Sequence, residues 1–280
     1  MSAEAPSPPG SLEAKSPFEL RLNQSGGAQE SFVKRSIETG DVGFLHSFTT
    51  GSAVDGPGIR VVAWTAGCNW RCQYCHNPDT WTVTNGLAVP LERAVEELRK
   101  YRRGLNVMSG GLTVSGGEPL LQDRFAVRFC AAAKAMGVHT AIETNGYLGD
   151  RLTDAELDQI DLFLLGLKSW GAAHQELTGK DIGPTLDFAK RLAARKRPIW
   201  VRFVLVPGLT DGKEIVAGIA KFAASLGNVQ RVEVLPFHQM GRFKWEKLGL
   251  KYTLDDVKAP SRELAEETCK VFRAEGLQAY

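Results

Sequence analysis

Six short apolar runs, each closed by a glycine or polar turn and each alternating with helical sequence, constrain the fold of this chain more than any other feature. They occupy residues 59–64, 112–115, 138–142, 162–167, 199–206 and 231–235. Runs this apolar are buried on both faces, and strands separated by helices pair in parallel. Helical spacing follows in 120–136, 184–195, 212–226 and 260–274, and a further helix opens at Val89-Pro90-Leu91, with Leu91, Ala94, Val95 and Leu98 as its stripe. The expected fold is α/β: a parallel sheet under helices, curled into a partial (βα)6 barrel resembling part of a TIM barrel. In such a sheet chemistry gathers where strands end. The segments there are 65–78, Ser115-Gly116-Gly117-Glu118, Glu143-Thr144-Asn145-Gly146, Lys168, Pro207-Gly208 and Pro236-Phe237-His238.

Composition excludes several classes of partner. With 34 basic and 32 acidic residues the net charge is +2, which offers no case for nucleic acid or an anionic membrane. No apolar run approaches the roughly 18 residues of a membrane-spanning helix. Residues 1–40 are rich in Ser, Pro, Gly, Ala and Glu, too poor in large apolar groups to offset ordering entropy. They are expected to be a disordered tail, with one folded domain over 41–280. No basic-then-apolar leader opens the chain, so a cytoplasmic location is expected.

Three of the five cysteines, Cys68, Cys72 and Cys75, fall in T-A-G-C-N-W-R-C-Q-Y-C-H-N-P at 65–78. Three thiols this close ask for a shared partner. Three readings compete. The spacing C-x3-C-x2-C would put all three on one helix face, as core thiols, but the flanking Gly67, Asn69 and Pro78 describe a loop after a strand. The cysteines with His76 could hold zinc, although structural zinc sites usually bring a second ligand pair and none is present. A 4Fe–4S cluster with three protein ligands would leave one iron open. The spacing favours the cluster and leaves zinc open. Cys130 and Cys269 stand alone in helical patterns, as ordinary thiols do.

The motif C-x3-C-x-aromatic-C, with Tyr74 as the aromatic residue, resembles the radical S-adenosylmethionine (SAM) superfamily. The resemblance narrows with D-G-P-G-I-R at 55–60, S-G-G-L-T-V-S-G-G-E-P at 109–119, E-T-N-G at 143–146, V-P-G at 206–208, L-P-F-H at 235–238 and F-K-W-E-K-L-G at 243–249. Together they are similar to the activating enzymes of pyruvate formate-lyase, over 42–280. The resemblance implies that Cys68, Cys72 and Cys75 ligate a 4Fe–4S cluster whose open iron takes the amino and carboxylate groups of SAM. Reductive cleavage of SAM would give a 5′-deoxyadenosyl radical that removes a Cα hydrogen from a glycine of a glycyl-radical enzyme. It also implies SAM contacts from Gly117 with Glu118, from Glu143, Gly166, Leu167, Lys168 and His238, an adenine contact from Tyr74, and His76 packed near the cluster. No side chain is implied as a general acid or base. The implied partners are pyruvate formate-lyase and a reduced flavodoxin or ferredoxin, the chain itself acting as a monomer.

The chain departs from that pattern twice. An Asp usually precedes Leu-Lys in the family, where Gly166 stands here, and another usually occupies the position of Glu143. In some members these acids lie beside a monovalent cation near SAM, so the resemblance leaves that cation in doubt for this chain.

Overall fold

A computed structural model describes residues 26–280. Helix α1 (Gly26–Thr39) leads into the long strand β1 (Val42–Ser52), a turn, and β2 (Arg60–Thr65). After the cysteine segment come β3 (Leu87–Pro90) and α2 (Leu91–Val107). The strand–helix alternation then runs β4 (Gly111–Gly116), α3 (Asp123–Ala135), β5 (His139–Thr144), a short α4 (Asp154–Leu157), β6 (Leu162–Gly166) and α5 (Ala172–Thr178). It closes with α6 (Gly183–Ala194), β7 (Ile199–Leu205), α7 (Lys213–Leu226), β8 (Val229–Pro236), α8 (Arg242–Lys247) and α9 (Arg262–Ala274).

All six apolar runs are strands of one mostly parallel sheet, ordered β3-β1-β2-β4-β5-β6-β7-β8. From β2 to β8 every pairing is parallel. The two strands absent from the sequence expectation, β1 and β3, extend it antiparallel. The end strands of that order do not pair, so the barrel stays open.

Side chains alternate across each strand, and the two faces differ in kind. Val61, Leu112, Val114, Ile142, Phe163, Leu165, Val201, Phe203 and Val232 meet helix residues such as Phe125, Phe129, Phe188 and Phe272 in the main core. The other face carries Thr113, Ser115, Glu143, Gly166, Arg202 and Glu233, and below them a separate apolar set of Ala141, Leu162 and Leu164 against Trp200. The concave side is thus sealed by apolar residues at its base and polar at the ends of the strands.

Residues 26–39 correct the expected tail. Phe32 and Val33 of α1 pack on Phe44, Ala66 and Ala88, with the Phe32 and Phe44 rings edge-on at 6.2 Å. Arg128 Nη1 donates to Thr39 O at 2.8 Å. Two adjacent apolar residues help dock this helix, in a stretch whose Ser, Pro, Gly, Ala and Glu content concealed it. Residues 1–25 of that expectation lie outside the described residues.

Candidate active site at the carboxyl ends of the strands

The cysteines sit on a loop, which removes the helical-core reading. The chain leaves β2 at Thr65, and each turn of the loop is tied to a neighbour by its backbone. Gly67 N–H donates to Thr80 O (2.6 Å), Cys68 N–H to Trp81 O (3.1 Å), Arg71 N–H to Thr178 O (2.9 Å) and Gln73 N–H to Leu177 O (3.2 Å). Side chains complete the hold. The buried Gln122 donates to Phe44 O and Ala66 O at 2.9 and 2.8 Å and accepts from Phe44 N–H at 2.7 Å. Trp245 Nε1–H donates to Cys75 O at 2.8 Å, and Arg71 Nη1 donates to the carbonyls of Cys68 and Trp70, both at 2.7 Å. A second clamp on the outer side joins Asp79 to His46 (3.0 Å) and Lys244 (2.9 Å).

All three thiols are half-buried and none forms a disulfide. Burial pushes the Cys72 thiol up to about 12 against the opposing charge of Lys168, and burial also raises Cys68 and Cys75. At neutral pH these sulfurs stay protonated unless a bound metal supplies the compensating charge. Buried polar atoms without partners gather in the same region: Asn69 Nδ2, Trp70 Nε1 and Tyr74 OH on the loop, Ser169 Oγ and His174 Nε2 after β6. Such orphans need a ligand or water to complete them. Among the described residues no three His, Cys, Asp or Glu side chains converge as ligands of one metal ion. A multi-iron cluster takes its thiolates at separate irons, and three half-buried thiols on one loop beside orphaned polar atoms are a donor set of that chemistry.

The Gly-Gly-Glu turn after β4 lies directly on this loop. Gly117 N–H donates to Thr65 O (2.9 Å) and Glu118 N–H to Gly67 O (2.8 Å). A Cβ on Gly117 would stand 2.3 Å from Gly67 O, so only glycine permits the approach. The Glu118 carboxylate is fully buried and accepts from Leu120 N–H (2.9 Å), Thr144 Oγ1 (2.7 Å) and Asn145 N–H (2.8 Å), which leaves the backbone carbonyls of this turn to meet a ligand. Burial raises its pKa, although those three donors oppose the rise. Glu118 locks the end of β4 to the end of β5.

Glu143 does lie on the concave face, but both oxygens are engaged. Oε1 pairs with Arg202 Nη1 at 2.8 Å and Oε2 accepts from Ser115 Oγ at 2.7 Å. Burial works to raise this carboxyl; Arg202, Lys168 and Ser115 outweigh it and hold it below the usual range. Arg202 in turn reaches Glu233 (3.1 Å), Asp55 (3.4 Å) and Val54 O (2.8 Å). Gly166 ends β6 beside this group, and Lys168 follows, half-buried. The Leu167 side chain points the other way, into the main core, so any ligand contact from it runs through the backbone. His238, after β8, stacks on His76 with ring centroids 4.1 Å apart, and His76 Nε2 lies 3.0 Å from His238 O. The Tyr74 ring packs with Leu177, Val206, Phe237 and Trp245, leaving its hydroxyl without a partner.

The structure thus brings the cysteines, His76, Glu143, Gly166, Lys168 and His238 to one edge, with Gly117 in the turn that lies on the cysteine loop and the Glu118 carboxylate held by three donors. Sequence reasoning missed Arg202, Asp55, Glu233 and Trp245. A signal existed for two of them. Arg202 is a lone charge inside an apolar strand, as Glu143 is, Glu233 is a charge between two valines, and period two places all three on the face opposite the main core.

The family description of the Radical SAM superfamily matches residues 62–218. The chain is 41% identical over 228 residues to the pyruvate formate-lyase 1-activating enzyme of Escherichia coli, across 80% of this chain and 93% of that enzyme. It is 41% identical over 242 residues to the pyruvate formate-lyase-activating enzyme of Staphylococcus epidermidis, across 84% and 96% of the two chains. Among solved structures, a domain of a pyruvate-formate lyase-activating enzyme from Bacteroides vulgatus superposes with a TM-score of 0.50 at 25% identity, over 61% of this chain and 98% of that domain. Streptococcus suis SuiB bound to its precursor peptide SuiA gives 0.59 at 16% identity, over 96% and 57%, and shares the fold.

Proposed function

The chain belongs to the radical SAM superfamily and, within it, to the activating enzymes of pyruvate formate-lyase, and from that premise we propose how its residues install a glycyl radical on the partner enzyme. The observation that carries the reading is the cysteine loop hung from β2 at the same edge as Lys168, Glu143 and His238. Cys68, Cys72 and Cys75 would hold the 4Fe–4S cluster. When bound, the cluster and SAM would supply the radical chemistry, by which one C–H bond would break at Cα of a glycine on the partner and one would form on 5′-deoxyadenosine.

The chain's own residues bind, orient and shield. The loop is fixed by backbone hydrogen bonds on both sides and by Gln122, so the three sulfurs are presented without reorganisation. Lys168 offers an ammonium to the carboxylate of SAM. The stacked His76 and His238 close the wall next to Cys75. The apolar base of Ala141, Leu162, Leu164 and Trp200 keeps water from entering beneath. A hydrogen atom leaves with its own electron, so no side chain has to act as a base. The open edge of the barrel admits a glycine loop of the partner. A flavodoxin or ferredoxin in the cytoplasm would deliver the electron to a monomer of this chain.

The test is anaerobic reconstitution with iron and sulfide, reduction, and assay of 5′-deoxyadenosine. The wild-type protein is expected to be brown and to cleave SAM, and Cys72→Ser to lose cleavage. A Cys72→Ser protein that still forms deoxyadenosine would refute the ligand assignment.

A further inference from the structure

We propose that Lys168 is the resident cation of the SAM site, and that this protein binds SAM without an alkali metal ion. The proposal rests on the activase reading above and concerns the place where this chain departs from its relatives.

Gly166 is fully buried at the end of β6. A Cβ there would stand 2.8 Å from both Cε and Nζ of Lys168. The lysine therefore folds back over the glycine and fills the volume that a side chain at 166 would take. Among the described residues no carboxylate lies within ion-pair distance of its ammonium. Its charge reaches Cys72, Cys75, Glu118, Glu143, His76 and His174. An unpaired ammonium at the centre of so many site residues is directed at a ligand.

The same place does not suit an alkali ion. Hard cations need several oxygen ligands. Gly166 supplies no carboxylate. Both oxygens of Glu143 are already held, by Arg202 and by Ser115. The nearest remaining oxygen is Thr144 O, 3.6 Å from the position of the missing Cβ. A metal ion there would also meet the positive charges of Lys168 and of Arg202, both of which act on Glu143. Glycine at 166 leaves the room that Lys168 occupies. The methionine end of SAM carries a carboxylate, and a compact ammonium binds it as a point charge.

The test is calorimetric titration of SAM into the anaerobic, cluster-loaded protein in potassium, sodium and choline chloride at equal ionic strength. Wild-type Kd is expected to agree within about twofold across the three salts. Lys168→Met should weaken binding about tenfold or more in each, the loss of one charge-assisted contact. Gly166→Asp places a carboxylate against the ammonium, and should both weaken binding and make it depend on potassium. Iron and sulfide content of each variant reports that the cluster is intact. A wild-type Kd that weakens about fivefold or more in choline, about 1 kcal/mol, overturns the proposal, as does Lys168→Met binding like wild type. A wild-type protein that forms the cluster and binds no SAM in any salt overturns the functional reading beneath it instead.

Discussion

Replacing Glu118 by Gln separates a scaffold role from a ligand role at the Gly-Gly-Glu turn. The native carboxylate is 0% exposed and takes three donors: Leu120 N–H and Thr144 Oγ1 on one oxygen, Asn145 N–H on the other. Gln has the same shape, but one end becomes an NH2 group. In one orientation it confronts Asn145 N–H. In the other it confronts Leu120 N–H, while the Thr144 hydroxyl can rotate to accept. Either way one buried N–H loses its acceptor, at a cost of about 1–3 kcal/mol. For a domain of this size that lowers Tm by roughly 2–12 °C. Thermal melts followed by circular dichroism would read the loss, and SAM titration of the reconstituted variant would read the site. The expected result is a lower Tm with Kd for SAM changed by less than about threefold. An unchanged Tm with Kd weakened about tenfold or more would refute the reasoning, because the carboxylate would then face the ligand.

Two further perturbations address the polar concave face. Arg202→Met leaves Glu143, Asp55 and Glu233 without the guanidinium that reaches all three; breaking such a buried group costs about 3–5 kcal/mol in urea denaturation, Arg202→Met with Glu143→Gln should recover part of it, and a neutral Arg202→Met would show that the group is not a lock. Acid should also loosen this face: the Glu143 carboxyl is held below its ordinary value of 4.5, so its stabilisation is complete above that pH and falls away as pH drops through the folded-state value. Glu143→Gln should flatten the stability–pH slope below pH 4.5, and an unchanged slope would contradict the Arg202 pairing.

The six parallel strands were legible because both faces of such a sheet are covered, which leaves apolar runs that composition cannot hide. The strands β1 and β3 were not, since they are antiparallel additions at one side, and β1 in Gly-Phe-Leu-His-Ser-Phe mixes exposed and buried positions. Helix α1 escaped notice because few of its residues are large and apolar, although Phe32 and Val33 pack on the sheet. At the site, spacing was enough to single out Cys68, Cys72 and Cys75, and strand ends were enough to locate Glu143, Lys168 and His238. Orientation was beyond it. Nothing in Gly-Gly-Glu tells that the carboxylate turns toward Asn145 N–H, 27 residues further on. Arg202 is intermediate: a lone charge in an apolar strand is visible, but its three partners come from β5, β8 and the turn before β2, and only the assembled sheet joins them. Gly166 is the reverse case, where the resemblance implies an acid that the chain lacks and the structure shows Lys168 in the space a side chain there would take.

The central claim is that this edge of the sheet installs a radical on a glycine of another protein. Its most direct test is electron paramagnetic resonance of pyruvate formate-lyase incubated anaerobically with the reconstituted, reduced protein and SAM. The account predicts a glycyl radical signal on the partner that requires SAM and is lost with Cys72→Ser. Stoichiometric deoxyadenosine with no protein-based glycyl signal would contradict it.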